Sequence, residues 1–327
     1  MDFSRLLQPV EERGVFALEG QHVWCGTVGE LDDGRFFMIY SAWPQARGFD
    51  AWVTHSDLGL AVSDSLLGRY EPAGMLWPEG GCPPRVRHNP ILMKWGAEWF
   101  LYFMGNTGPL NRENSPRWSE YVTTKTPGWW EHRNNQRVWL ARAKHPLGPW
   151  EVGDKPLFEA EPGYLMTSTP YCFARPDGRV QCVVKTVREG STERGNAVEH
   201  HTFWADHPAG PFEKVADSFL QGFKTEFPID DHCEFYYAGK YYAVVKDHGE
   251  GLTEYGISLI LLESEDGLKW RIAPHALVTK FELGRGDGTR ESFERFEMPR
   301  VLFQDGKPRA LQLSAYRGGD ERSFNLR

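Results

Sequence analysis

The sequence predicts an all-β fold, one five-bladed β-propeller spanning residues 1–327, and three observations carry that expectation. A first phrase recurs five times: an aromatic or β-branched run, a glycine at a tight turn and a second apolar run, with turns at Gly34, Gly96, Gly178, Gly239 and Gly306. The intervals of 62, 82, 61 and 67 residues match blades made of short strands. A second phrase follows the first in four copies: Leu67-Gly68-Arg69-Tyr70, Leu147-Gly148-Pro149-Trp150, Ala209-Gly210-Pro211-Phe212 and Asp266-Gly267-Leu268-Lys269-Trp270. Each copy suits the turn between a blade's third and fourth strands. The third observation is the missing fifth copy. Residues 311 to 327 are too few for a whole blade, so the strand around Val15-Phe16-Ala17-Leu18 is expected to complete the last sheet. Such closure removes the free edge of an open array.

Taken in order, blade one holds DDGRFFMIYS and then the segment Phe49–Ser56 (FDAWVTHS), which puts an acid, an indole and an imidazole on one connecting loop. Blade two holds WGAEWFLYF and an insertion from Asn106 to Arg137, which accounts for the 82-residue interval. Loops this long act as lids or binding elements in compact domains. Blade three holds RPDGRVQCVVK. Blade four holds YAGKYYAVVKD and a glycine-rich rim loop opened by Asp247-His248, where Gly249 and Gly251 permit close approach to a ligand. Blade five holds FQDGKPRALQLS.

Composition narrows the partners. A formal net charge of −8 without a basic stripe disfavours nucleic acid. No run of about 18 apolar residues indicates a membrane span, and the acidic N-terminal stretch does not read as a signal peptide, so a cytoplasmic location is expected. The five cysteines are odd in number and lack CxxC spacing, which points to free thiols rather than a disulfide framework or zinc site. Aromatic residues make up 14% of the chain and Trp numbers 13, enough for both blade packing and sugar-stacking faces.

In a propeller the first strand of each blade lines the central channel, and residues near its start converge on a funnel. The aligned segments are Trp24-Cys25-Gly26-Thr27, His88-Asn89-Pro90-Ile91, Ser168-Thr169-Pro170-Tyr171, Asp230-Asp231-His232-Cys233 and Glu297-Met298-Pro299-Arg300. Blades four and five, neighbours around the ring, therefore bring carboxylates together. Glycoside cleavage needs such a pair, one member holding its proton, and Asp231, Glu297 and Asp230 are the expected catalytic groups. Lys185 and Lys246 end apolar runs and must reach a carboxylate, a ligand or solvent. Trp24, Asp50, Trp52, His55, His88, Asn89, Thr169, His248 and Arg295 complete the expected substrate-binding set. No cofactor and no dedicated metal cage are expected; a calcium ion, which takes about six to eight oxygens, is held at most loosely by Asp230, Asp231 and water.

The stretches HVWCGTV, FDAWVTHS, HNPIL, NNQRVWLARAKHPLGPW, DDHCEFYYAGKYYAVVKD, LLESEDGLKW, FEMPRVLFQDGKP and SFNL carry a resemblance over almost the whole chain. It resembles the five-bladed propeller glycoside hydrolases related to families 43 and 117, including bacterial proteins grouped only as glycoside hydrolase family proteins. The resemblance implies an exo-acting glycosidase for a small sugar or oligosaccharide. A glycoside phosphorylase using Lys185, Lys246, Arg295 and Arg300 for phosphate, and a non-catalytic sugar-binding propeller, are the alternatives. Family 43 places carboxylates on its first three blades, whereas the matching positions here are Trp24-Cys25-Gly26, His88-Asn89-Pro90 and Ser168-Thr169-Pro170. The hydrolytic pair must then come from Asp231, Glu297, Asp50 or a loop. Family 117 includes a histidine in its arrangement, which brings His88, His232 and His248 forward as proton donors. The looser bacterial group has Glu-Asp-Pro where blade four here has Asp230-Asp231-His232.

Overall fold

Five four-stranded antiparallel sheets succeed one another along the chain, and the computed structural model describes residues 1–78, 81–106, 127–190, 198–217, 229–249 and 251–327. Blade one is Gln21–Glu30, Phe36–Pro44, Asp57–Ser63 and Glu71–Met75, and blade two is Val86–Trp95, Glu98–Asn106, Gln136–Ala143 and Glu151–Val152. Blade three is Tyr164–Ala174, Val180–Arg188, Val198–Ala205 and Glu213–Ala216, and blade four is Ile229–Tyr237, Lys240–His248, Ile257–Ser264 and Arg271–Thr279. Blade five takes Arg295–Gln304, Lys307–Arg317 and Arg322–Leu326, and Val15–Phe16 pairs with Arg322–Leu326 as its outer strand, as the sequence led one to expect. A small hairpin, Glu282–Gly284 with Arg290–Ser292, lies between blades four and five. Among the described residues no helix is long and apolar enough to cross a membrane.

All five repeat glycines, at 34, 96, 178, 239 and 306, have positive φ, between 60° and 87°. A side chain with a Cβ resists that conformation, which is why the first phrase turns on glycine. Apolar layers fill the spaces between blades. Phe37, Ile39, Trp99, Leu101 and Trp139 join blades one and two, and Val23, Met38, Tyr40 and Leu302 join blades one and five. The blade turns add buried indoles: Trp150 Nε1 donates to Pro146 O at 3.2 Å, and Trp77 Nε1 donates to Trp150 O at 3.1 Å.

The inner strands hold a feature that the sequence did not disclose. Each carries a β-bulge in which two residues oppose one: Cys25-Gly26, Asn89-Pro90, Thr169-Pro170, Asp231-His232 and Met298-Pro299 fall inside the five register shifts. The first residue of each pair is left-handed, with φ of 52°, 52°, 45°, 50° and 53°. The prolines expected at strand starts therefore sit inside the strands, at the bulge, where ladder pairing is already interrupted.

The expectation of free thiols fails for one pair. Cys172 and Cys182 stand directly opposite on the first two strands of blade three, with Cα atoms 4.1 Å apart, and are joined by a disulfide. Motif spacing does not reveal a cross-strand pair, because register decides which cysteines meet.

Candidate active site in the central funnel

The residue before each bulge lines one cavity, and so does the residue at the bulge in four of the five blades, the buried Cys25 being the exception. Opposite each pre-bulge residue, on the second strand, stand Ser41, Met104, Lys185, Lys246 and Ser314. Four of these reach the next blade around the ring. Ser41 Oγ accepts from Asn89 N at 3.1 Å, and Ser314 Oγ accepts from Cys25 N at 2.7 Å. Lys185 Nζ donates to both Asp230 oxygens at 2.9 Å, and Lys246 Nζ donates to Glu297 Oε1 at 2.6 Å. The lysines that looked out of place at the ends of apolar runs thus staple blade three to four and four to five through carboxylates.

These groups line a cavity of about 300 Å³. Trp24, Asp50, Trp52, His88, Asn89, Thr169, Lys185, Asp230, Asp231, Lys246, His248, Arg295 and Glu297 all contribute to its wall, as anticipated. His55 does not. The loop that carries it coils into two short turns, Phe49–Ala51 and Trp52–His55, so only Phe49, Asp50 and Trp52 reach the cavity, while His55 lies against Thr54 Oγ1 at 2.9 Å. His232 is also outside the cavity, fully buried with its Nδ1 3.0 Å from Glu234 Oε1. Arg300 lines a different cavity, with Tyr171 beneath its guanidinium at 5.0 Å.

The helix Pro127–Asn134 supplies a wall that sequence reading found only in part. It ends the blade-two insertion, whose residues 107–126 lie outside those described. Trp129, Trp130 and Arg133 face the cavity from this helix, and Gln136 follows them. Trp129 Nε1 donates to Asp50 O at 2.8 Å and pins the helix to the blade-one loop. Trp52 stacks on His88 with centroids 5.1 Å apart, and Trp129 meets Trp52 edge-on at 5.9 Å. One side of the cavity is therefore aromatic and the other charged. The insertion's length points to a lid or binding element, yet its tryptophans carry no spacing that separates them from core residues.

Electrostatics divide the three carboxylates. Burial drives Asp231 upward, the neighbouring charges of Asp230 and Glu297 push the same way, and its pKa reaches about 8. Among the described residues no hydrogen bond or ion pair reaches its carboxyl. Burial also opposes ionisation of Asp230, but the Lys185 ammonium and His200, 3.8 Å away, hold it well below the usual carboxylate range. Glu297 is buried too, and the charges of Lys246 and Arg295 outweigh that and hold it low. Both cations approach Oε1, Lys246 at 2.6 Å and Arg295 at 3.5 Å, and no hydrogen bond from a described residue reaches Oε2.

The histidines of the funnel are neutral near pH 7. Ser56 Oγ donates to Arg87 O at 2.9 Å, so it accepts from His88 Nδ1 at 2.7 Å, which leaves Nε2 without a proton and facing Cys25 Sγ at 3.7 Å. Burial pushes His88 down to about 3, and burial together with Lys246 brings His248 down to about 4. The expectation that His88 or His248 carries a proton near neutrality is therefore set aside. Among the described residues no group of three or more His, Cys, Asp or Glu side chains is arranged to hold a metal ion.

No protein-family model matches the sequence, and no curated protein is similar to it. Solved structures share the fold. A family 117 glycoside hydrolase of the marine bacterium Zobellia galactanivorans superposes with a TM-score of 0.59 at 15% identity, over 95% of this chain and 87% of that one. A thermostable family-43 glycoside hydrolase gives 0.61 at 12% identity, over 98% and 91%. An exo-1,5-α-L-arabinanase from a bovine ruminal metagenomic library gives 0.55 at 12% identity, over 98% and 94%. At such identities the likeness is one of fold, the five-bladed propeller.

Proposed function

We propose that the protein is a glycosidase in which Asp231 is the general acid and Glu297 the general base or nucleophile. The observation that carries this reading is a carboxyl held protonated near neutral pH in the same funnel as a carboxylate held ionised, Glu297, whose Oε2 is free of hydrogen bonds from described residues. Two titratable groups driven apart by their surroundings are what acid and base roles require. Asp231 gives its proton to the glycosidic oxygen as the C–O bond breaks. Glu297 Oε2 either takes a proton from the attacking water or attacks the anomeric carbon itself, and water then releases the sugar. Asp230, with both oxygens engaged by Lys185, supplies a fixed negative charge that keeps Asp231 protonated and steadies positive charge developing on the ring.

The solved relatives in fold are glycoside hydrolases, which supports this class of reaction. A cavity of about 300 Å³, at the small end of ligand pockets, suits a single terminal ring and hence exo action. The half-buried rings of Trp52 and Trp130, backed by the buried Trp129, offer faces for the C–H side of a sugar. The phosphorylase alternative has weaker support from its four cations, because Lys185 and Lys246 are matched by carboxylates, Arg295 shares Glu297 and Arg300 lies outside the cavity.

Aryl glycosides of graded leaving-group acidity test the roles. A dinitrophenyl group departs without protonation, so the Asp231→Asn variant should regain most of its rate on that substrate, and Glu297→Gln should not. Equal losses on poor and good leaving groups in both variants would remove the assignment. No turnover by the wild type on any glycoside, with sugars still bound, would make the protein a sugar-binding propeller.

A further inference from the structure

We infer that the sugar this site takes carries an anionic substituent, a carboxylate or a sulfate ester, held by Arg133; the inference rests on the glycosidase reading. The charges of the cavity are matched in every other cationic case. Lys185 is engaged by Asp230, and Lys246 and Arg295 share Glu297. Arg133 has no carboxylate within ion-pair distance among the described residues. Its Nη1 donates to Asn134 Oδ1 at 3.2 Å, and its guanidinium lies 5.6 Å from the centroid of the Trp130 ring. A guanidinium has five N–H donors in a planar fork suited to carboxylate and sulfate oxygens. Here most of that fork meets no described residue, and it stands beside the Trp130 ring on the cavity wall.

The balance of the whole lining points the same way. Among the described residues of the lining, Arg133, Lys185, Lys246 and Arg295 face the carboxylates of Asp50, Asp230 and Glu297 and the neutral acid Asp231, an excess of one positive charge inside a chain of formal net charge −8. Asp50, on the blade-one loop, is not within ion-pair distance of Arg133, so it does not satisfy that cation. Burial lowers Arg133 to about 10 against the opposing pull of the Asp230 charge, which lies beyond ion-pair distance, and it stays charged at neutral pH. A sugar ring set against Trp130 would bring its substituent toward the Arg133 guanidinium, 5.6 Å from that ring's centroid, which favours an anion carried by the sugar.

Matched aryl glycosides test this: for each of several hexoses, the neutral glycoside, its C6 carboxylate and its C6 sulfate, assayed with the wild type, Arg133→Gln and Arg133→Lys. The wild type should favour one anionic member over its neutral parent by about 10- to 100-fold in kcat/KM, the scale of one charge-assisted hydrogen bond. That ratio should fall at least about tenfold in Arg133→Gln and recover in part in Arg133→Lys. Preference for the carboxylate member identifies a uronide, and preference for the sulfate a sulfated sugar. A neutral member turned over as well as its anionic partners overturns the inference while leaving the glycosidase reading intact, as does a preference that Arg133→Gln does not change. Release of a sugar phosphate on addition of inorganic phosphate would assign Arg133 to a co-substrate and also overturn it. If nothing is turned over, calorimetric binding of free uronic acids and neutral sugars to the wild type still decides the point, and a preference for neutral sugars would count against it.

Discussion

Asp231→Asn removes a titratable group from the funnel while keeping a side chain that tolerates the left-handed backbone at φ 50°. In the folded protein Asp231 keeps its proton up to about pH 8, whereas an unfolded aspartate releases it near ~3.9. Between those values the folded state binds more protons, so this group makes stability fall as pH rises. Its cost is absent below about pH 4 and complete above about pH 8. At about 1.4 kcal/mol for each pH unit crossed, the full effect is on the order of 5 kcal/mol. The neutral amide does not bear this cost. Thermal unfolding of the wild type and Asp231→Asn, followed from pH 4 to pH 9, should therefore give similar Tm values at pH 4 and a variant more stable by at least about 5 °C at pH 8. On a substrate with a poor leaving group the same variant should lose at least about 100-fold in kcat, the scale of general acid catalysis. A Tm difference that stays flat across this range would refute the elevated pKa and the acid role built on it.

Glu297→Gln should behave differently, because it leaves the buried Lys246 ammonium without its carboxylate: a loss of about 3 kcal/mol in stability together with at least about 100-fold in rate is expected, and adding Lys246→Met should restore the denaturation midpoint but not activity. The pH–rate profile of the wild type should fall as pH rises through about 8, where Asp231 deprotonates, and hold on the acid side to below the usual glutamate value because Lys246 and Arg295 keep Glu297 ionised; a profile falling on the acid side near pH 6 to 7 would point instead to a histidine. Gly26→Ala should cost about 2 kcal/mol, since a Cβ there would stand 2.1 Å from Gln312 Nε2 and 2.8 Å from Met38 Sδ; an unchanged unfolding midpoint would show that the channel wall gives way more easily than its packing implies.

The propeller was legible because its turns depend on residue type. Glycine takes the positive φ at each hairpin most easily, and that preference repeats wherever a blade begins. Closure by Val15–Phe16 was legible from arithmetic, a turn phrase short and a blade unfinished. The bulges were not legible, because their first residues are Cys25, Asn89, Thr169, Asp231 and Met298, of which only Asn89 and Asp231 belong to types at ease in the left-handed region. Aligning the strands by their glycines nevertheless found the right positions, since every bulge sits at nearly the same distance from its turn. The charged half of the site followed from that alignment. The aromatic half depends on where the helix Pro127–Asn134 docks, and its contact with the Asp50 carbonyl is tertiary. His55 lies outside the cavity because its loop coils into short turns that a residue count does not reveal, and the Cys172–Cys182 bond was not legible because register is invisible in a count of cysteines.

The account stands or falls on the protonation of one carboxyl, and carbon-13 NMR titration of labelled aspartate and glutamate side chains, assigned with Asp231→Asn and Glu297→Gln, observes it directly. The Asp231 resonance should titrate near pH 8 while Asp230 and Glu297 remain ionised to below the usual carboxylate range. An Asp231 resonance that titrates in the ordinary aspartate range would contradict the acid role and, with it, the proposed reaction.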